Sequence, residues 1–115
     1  MRAIDIDPFA ETAVELNARA NGVRVDVVRR DLLDEGPPDA DIVLAGDTWY
    51  ERPLASRVLP WLRQARNAGV DVIVGDPGRT YLPLNELVEL ASYEVRTTTE
   101  LEDLAFKVAR VYRLR

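Results

Sequence analysis

The sequence predicts an α/β protein built on a mixed sheet, and three observations predict it. Short apolar runs alternate with helical patterns through most of the chain, as in parallel strands joined by helical crossovers. The run Ile42 to Ala45 is unbroken by polar residues and lies between charged ends, the pattern of a strand buried on both faces of a parallel sheet. The final apolar runs, Glu94 to Thr99 and Ala105 to Leu114, are joined only by the short segment Glu100 to Leu104. That is too short for a parallel crossover, so the two should pair antiparallel.

Taken in order, Ala3 to Ile6 reads as the first strand, and Asp7-Pro8 as a helix start, with Asp as N-cap and Pro at the first helical position. Phe9, Ala13, Leu16 and Ala20 recur at helical spacing, and Asn21-Gly22 ends the helix in a left-handed cap. Val23 to Val28 supply a second strand, followed by a polar loop from Asp31 to Asp41 broken by Gly36-Pro37-Pro38. After the Ile42 to Ala45 strand, Pro53 opens a helix in which Leu54, Val58, Leu62 and Ala65 share a face. Pro60 should kink or restart it, because it has no N–H and its ring meets the carbonyl four residues back. Ala68-Gly69 closes that helix, Val70 to Val74 form another buried strand, and Pro83 to Ala91 read as a third helix through Leu84, Leu87, Val88 and Ala91. The whole reads as a single domain with a Rossmann-like mixed sheet and a carboxyl-terminal antiparallel strand pair.

Composition narrows the function classes. With 115 residues, 47% apolar and 30% charged, the chain is of a size and make-up for one globular domain, and no apolar run approaches the roughly 20 residues of a membrane span. A net charge of −5 with arginines scattered rather than clustered argues against nucleic acid as a partner. There is no cysteine and no histidine, which removes disulfides, thiol nucleophiles, serine–histidine pairs and an ordinary zinc site. No long apolar leader follows Met1, so the expected compartment is cytoplasmic and no membrane partner is expected.

The candidate site lies after the Ile42 to Ala45 strand. Gly46-Asp47 stops it, and Asp47, Thr48, Trp49, Tyr50 and Glu51 follow at the carboxyl end, where open α/β sheets place ligands. Asp47 has two readings, a cap for the next helix or a functional carboxylate. Trp49 suits the edge of the core, whereas Tyr50 and Glu51 are better placed to line a site. Asp76-Pro77-Gly78-Arg79 reads by composition as a tight turn with a surface arginine, and Trp61 as core.

The segments Ala3 to Ala10, Asn17 to Gly22, and Leu44 to Glu51 resemble the class I S-adenosylmethionine-dependent methyltransferases. With Gly75-Asp76-Pro77-Gly78-Arg79 added, the chain looks most like the electron-transfer-flavoprotein beta-subunit lysine methyltransferase group, whose bacterial members are often labelled nicotinamide N-methyltransferase-like. The resemblance implies S-adenosylmethionine as cofactor, with Asp5 on the ribose hydroxyls, Asp31 near the adenine and Gly46 also on the cofactor side. It implies a catalytic group of Asp47, Tyr50 and Glu51 facing the methyl group and an acceptor nitrogen, most naturally a protein lysine, with Trp49 and Tyr50 as aromatic walls. None of the six glycines forms the family's Gly-x-Gly loop, and the family's first strand, central in its sheet, is expected to be lacking. Either the chain is the carboxyl-terminal portion of an enzyme, inactive alone and a weak cofactor binder, or its flanking strands close the gap. Self-association through that gap is a further expectation. The alternative function is a non-catalytic Rossmann-like fragment for binding or structure. A receiver-like phospho-acceptor using Asp5, Asp7, Asp47 and Lys107 fits poorly with the terminal antiparallel pair.

Overall fold

The structure, a computed structural model, describes residues 1–98 and 104–115. By its internal contacts the chain divides into two compact units, Met1–Glu35 and Gly36–Arg115.

The first unit is β-α-β. Strands β1 (Arg2–Asp5) and β2 (Asp26–Arg29) pair in parallel, from Arg2 opposite Asp26 to Asp5 opposite Arg29, and α1 (Pro8–Ala20) connects them. Asp7 caps α1 by accepting the Phe9 N–H at 2.8 Å, which satisfies one of the helix's orphan donors. Asn21 and then Gly22, at φ 63°, end it as the sequence predicts. The inward stripe differs from the expected one. Ala10, Val14 and Ala18, spaced four apart, are half-buried together with Glu11, whereas Phe9 is 84% and Leu16 57% exposed. Both stripes have helical spacing, and the larger side chains are on the outer one, so periodicity alone selects the wrong face.

The second unit holds the core. Its sheet runs β3 (Ile42–Gly46), β4 (Asp71–Asp76), β6 (Leu104–Leu114), β5 (Leu87–Thr98). β3 and β4 are parallel, with Gly46 opposite Gly75, while β6 is antiparallel to both β4 and β5. The predicted mixed sheet with its terminal antiparallel pair is therefore present, and the last strand is inserted at the middle. The helix α2 (Arg52–Asn67) buries Ala55, Val58, Trp61, Leu62 and Ala65 towards Val72, Val74, Tyr112 and Leu114. Burying side chains of this size contributes about 1.5–3 kcal/mol each relative to exposure.

Three expectations are corrected here. First, α2 does not restart at Pro60 but is continuous through it. Pro60 lies on the exposed side, so the carbonyl it leaves without an intrahelical donor is at the wet face of the helix. Second, the expected helix from Pro83 to Ala91 is a single 3-10 turn, Leu84–Glu86, followed by β5. Leu87 pairs with Leu114, both buried, and a bulge between Glu89 and Ala91 re-sets the register. The eleven-pair ladder with β6 overrides a helical spacing that rests on four apolar residues. Third, β3 is not buried on both faces. Val43 and Ala45 are half-buried opposite Val72 and Val74, but Ile42 and Leu44 are 56% and 70% exposed. An unbroken apolar run implies two-sided burial, yet among the described residues of this unit α2 is the one long helix, and it packs against β4 and β6. The connection over residues 99–103 lies outside the described residues.

Candidate functional site

Two parallel neighbours that end together create the principal site. β3 stops at Gly46 and β4 at Asp76, and the ladder is prolonged by one bond, from the Asp47 N–H to the Gly75 carbonyl at 3.1 Å. Asp47 then turns the chain with φ 50°, a left-handed conformation that is uncommon outside glycine but tolerated by Asp and Asn. Such positions recur at functional sites, where surrounding contacts hold the strain.

Across from Asp47, the end of β4 makes its own tight turn. Asp76 is 2% exposed, and its Oδ1 accepts the N–H groups of Gly78 at 3.2 Å and Arg79 at 2.9 Å. Gly78, at φ 98°, supplies the backbone conformation this turn needs. The result aims Arg79 back over β3. Its Nε donates to Asp47 Oδ1 at 2.7 Å and its Nη2 to Oδ2 at 2.9 Å, a two-point fork. That hydrogen bonding, outweighing the opposing desolvation, holds the Asp47 carboxyl below the usual carboxylate range and raises Arg79. The Lys107 charge acts in the same direction on Asp47.

Asp47 is not the cap of α2. That position is Glu51, whose side chain makes no capping bond. Tyr50 is 55% exposed and Glu51 exposed, in the same loop as Asp47. Trp49 is 1% exposed and belongs to the core, so it is not available as a pocket wall. Its Nε1 and Thr48 Oγ1 are buried without a hydrogen-bond partner among the described residues. Arg52 sits 5.7 Å from the Tyr81 ring centre, a cation–π contact. Gly46 closes β3, and a Cβ there would meet no protein atom within 4 Å.

In the other unit, Asp5 ends β1 and Asp31 follows the end of its parallel neighbour β2. Both brace their own turns. Asp5 Oδ1 accepts the Asp7 N–H and Asp31 Oδ1 the Leu33 N–H, each at 2.9 Å. A hollow of about 70 Å³ between α1 and the two strands is lined by Ala3, Ile4, Asp5, Glu11 and Val14 among others, well below the ~300 Å³ of a small ligand pocket. Sequence reasoning reads Asp76 and Arg79 as a turn within the family-like segment and does not name them as site residues. The turn composition was visible, but the partner of Arg79 lies 32 residues away and only the strand pairing brings it near.

No protein-family model matches the chain. Among curated proteins, the electron transfer flavoprotein beta subunit lysine methyltransferase of Xenopus laevis is 31% identical across 96% of this chain and 47% of its own length. The chain thus spans about half the length of the curated relatives it matches. Among solved structures, a SAM-dependent methyltransferase from Methanosarcina mazei matches with TM-score 0.61 and 9% identity, over 98% of this chain and 81% of its own. The N-methyltransferase NodS from Bradyrhizobium japonicum, in complex with S-adenosyl-L-homocysteine, matches with TM-score 0.57 and 11% identity, over 98% and 65%. These likenesses to solved structures concern the fold.

Proposed function

From a chain that resembles class I S-adenosylmethionine-dependent methyltransferases over nearly its whole length, we propose a part in methyl transfer from S-adenosylmethionine to a nitrogen, the acceptor being a lysine of a partner protein. The observation that carries this reading is the Asp47 carboxylate, half-exposed at the joined ends of β3 and β4 and kept ionised by Arg79. A carboxylate in that state is a weak base, so its role is to orient the acceptor amine through an N–H contact while the nitrogen lone pair points at the methyl group. Glu51 and Tyr50 line the approach.

The cofactor's donor set fits what the carboxylates offer. Asp5 keeps Oδ2 without a partner among the described residues, and an ionised carboxylate is a natural acceptor for ribose hydroxyls. Open space beside Gly46 admits close approach of a ligand to the backbone. When bound, S-adenosylmethionine supplies a sulfonium-activated methyl group. Without a Gly-x-Gly loop, these 115 residues by themselves bind it weakly and turn over little or not at all. The second reading, a non-catalytic Rossmann-like fragment, is favoured by the exposed Ile42 and Leu44 on edge strand β3, through which copies of the chain would associate. We place the chain in the cytoplasm, where a protein without cysteine forgoes nothing. No helix among the described residues is long and apolar enough to cross a membrane.

The test is transfer of isotope-labelled methyl to electron transfer flavoprotein beta subunit and to unrelated lysine-bearing proteins. It is run with this chain and with the chain joined behind the amino-terminal portion of the Xenopus relative. Label on lysine with the joined protein supports the reading. Label elsewhere, or none, removes the lysine assignment, and full transfer by the 115 residues alone overturns the weak-binding statement.

A further inference from the structure

The Arg79 fork raises a question that an orienting carboxylate by itself does not answer. A lone Asp47 would stabilise the ammonium form of an approaching amine, and an ammonium has no lone pair with which to attack. We infer that Arg79 is a positioning and specificity-determining residue, which cancels the charge of Asp47 and fixes its plane so that the site accepts primary amines in their neutral form. This rests on the reading of Asp47 given above.

Three features of the geometry support it. The fork engages one lone pair on each Asp47 oxygen, at 2.7 and 2.9 Å, and an ionised carboxylate has about four acceptor positions, so others stay open to an amine N–H. The Asp47 side chain is 54% exposed, so those positions can be reached from solvent. Arg79 is also not a loose surface arginine. Its backbone N–H is bound by Asp76, itself 2% exposed, and its guanidinium closes over a residue held at φ 50°. A buried acid whose carboxylate organises the turn beneath one surface arginine makes sense if the direction of that arginine matters. Composition alone reads Arg79 as the surface arginine of a tight turn, and its fork gives it a task.

The test uses the 115-residue chain and two probes at pH 7, n-butylamine, which is an ammonium there, and 2,2,2-trifluoroethylamine, which is largely uncharged. Binding is followed by carbon-detected magnetic resonance at the Asp47 carboxyl, so it is read without turnover. Wild type should bind the uncharged amine at least as well as the ammonium. Arg79→Gln should bind butylammonium about fivefold more tightly than wild type at low salt, the size of effect one unit charge about 4 Å away has in water. Its Asp47 carboxyl should also titrate at higher pH. Arg79→Lys keeps the charge without the fork and should stay near wild type in ammonium affinity, with Asp47 less sharply oriented. A role confined to structure would weaken binding of both probes together. A wild-type preference for butylammonium of fivefold or more overturns the inference without any variant, as does unchanged or weaker ammonium binding in a folded Arg79→Gln. Failure of methyl transfer with these binding results intact would instead remove the methyltransferase reading.

Discussion

Asp47 has a conformation most residues avoid and a partner most carboxylates lack, and the two separate what a substitution there should do. Asparagine tolerates the left-handed backbone, so Asp47→Asn should leave the fold nearly as stable at pH 7, the bridge being half-exposed and screened. The sign of the pH effect follows from the lowered pKa of Asp47, which its hydrogen bonds to Arg79 cause. A depressed folded-state value stabilises above the unfolded carboxyl's range and loses that contribution as pH falls through the folded value. The small gap between wild type and Asp47→Asn in urea midpoint should therefore be present at pH 7 and vanish well below about pH 4. A gap that grows towards acid would refute the assignment. Turnover is a separate matter. In an active joined protein, Asp47→Asn should lower the rate by about 10- to 1000-fold if one preorganised electrostatic contact is lost. At this scale the sequence was half legible. A strand end followed by acid and aromatic residues marked Asp47, but Arg79 could not be paired with it before β3 and β4 were known to be neighbours.

At the scale of elements, what could be read followed from how much each segment decides for itself. Caps did well, since Asp7 with Pro8, and Gly22, act within a few residues of where they stand. β5 did badly, because Leu84, Leu87, Val88 and Ala91 fit a helix locally, whereas the strand is dictated by β6, distant in sequence. α2 did well because its apolar face has a real counterpart. Leu62, 1% exposed in the middle of that face, should lose about 2–5 kcal/mol of stability on replacement by alanine, measured by chemical denaturation. Pro60 tests the opposite. It is exposed inside an unbroken helix, so Pro60→Ala should stabilise by about 2–2.6 kcal/mol, the roughly 3 kcal/mol helix penalty less the roughly 0.4–1 kcal/mol that proline saves by restricting the unfolded chain. Destabilisation would mean that α2 depends on a bend there.

For the whole molecule, the overall class was legible because alternation and a short final connection are properties of the chain itself. The distribution of burial was not, since whether Ile42 and Leu44 are covered depends on what lies across the sheet. That face sets an expectation for association. Leu44→Lys, on an edge strand and 70% exposed, should leave the melting temperature nearly unchanged and lower any concentration-dependent self-association seen by sedimentation. Equal association in both proteins would place the contact elsewhere. The position of β6 has its own consequence during synthesis. It lies between β4 and β5, and the Arg115 N–H also reaches the Glu86 carbonyl at 2.9 Å. While the protein is being translated, β3, α2, β4 and β5 can all have emerged with their central slot still empty. The sheet closes only when residues up to Leu114 leave the ribosome, and until then two unsatisfied strand edges face the cell's chaperones.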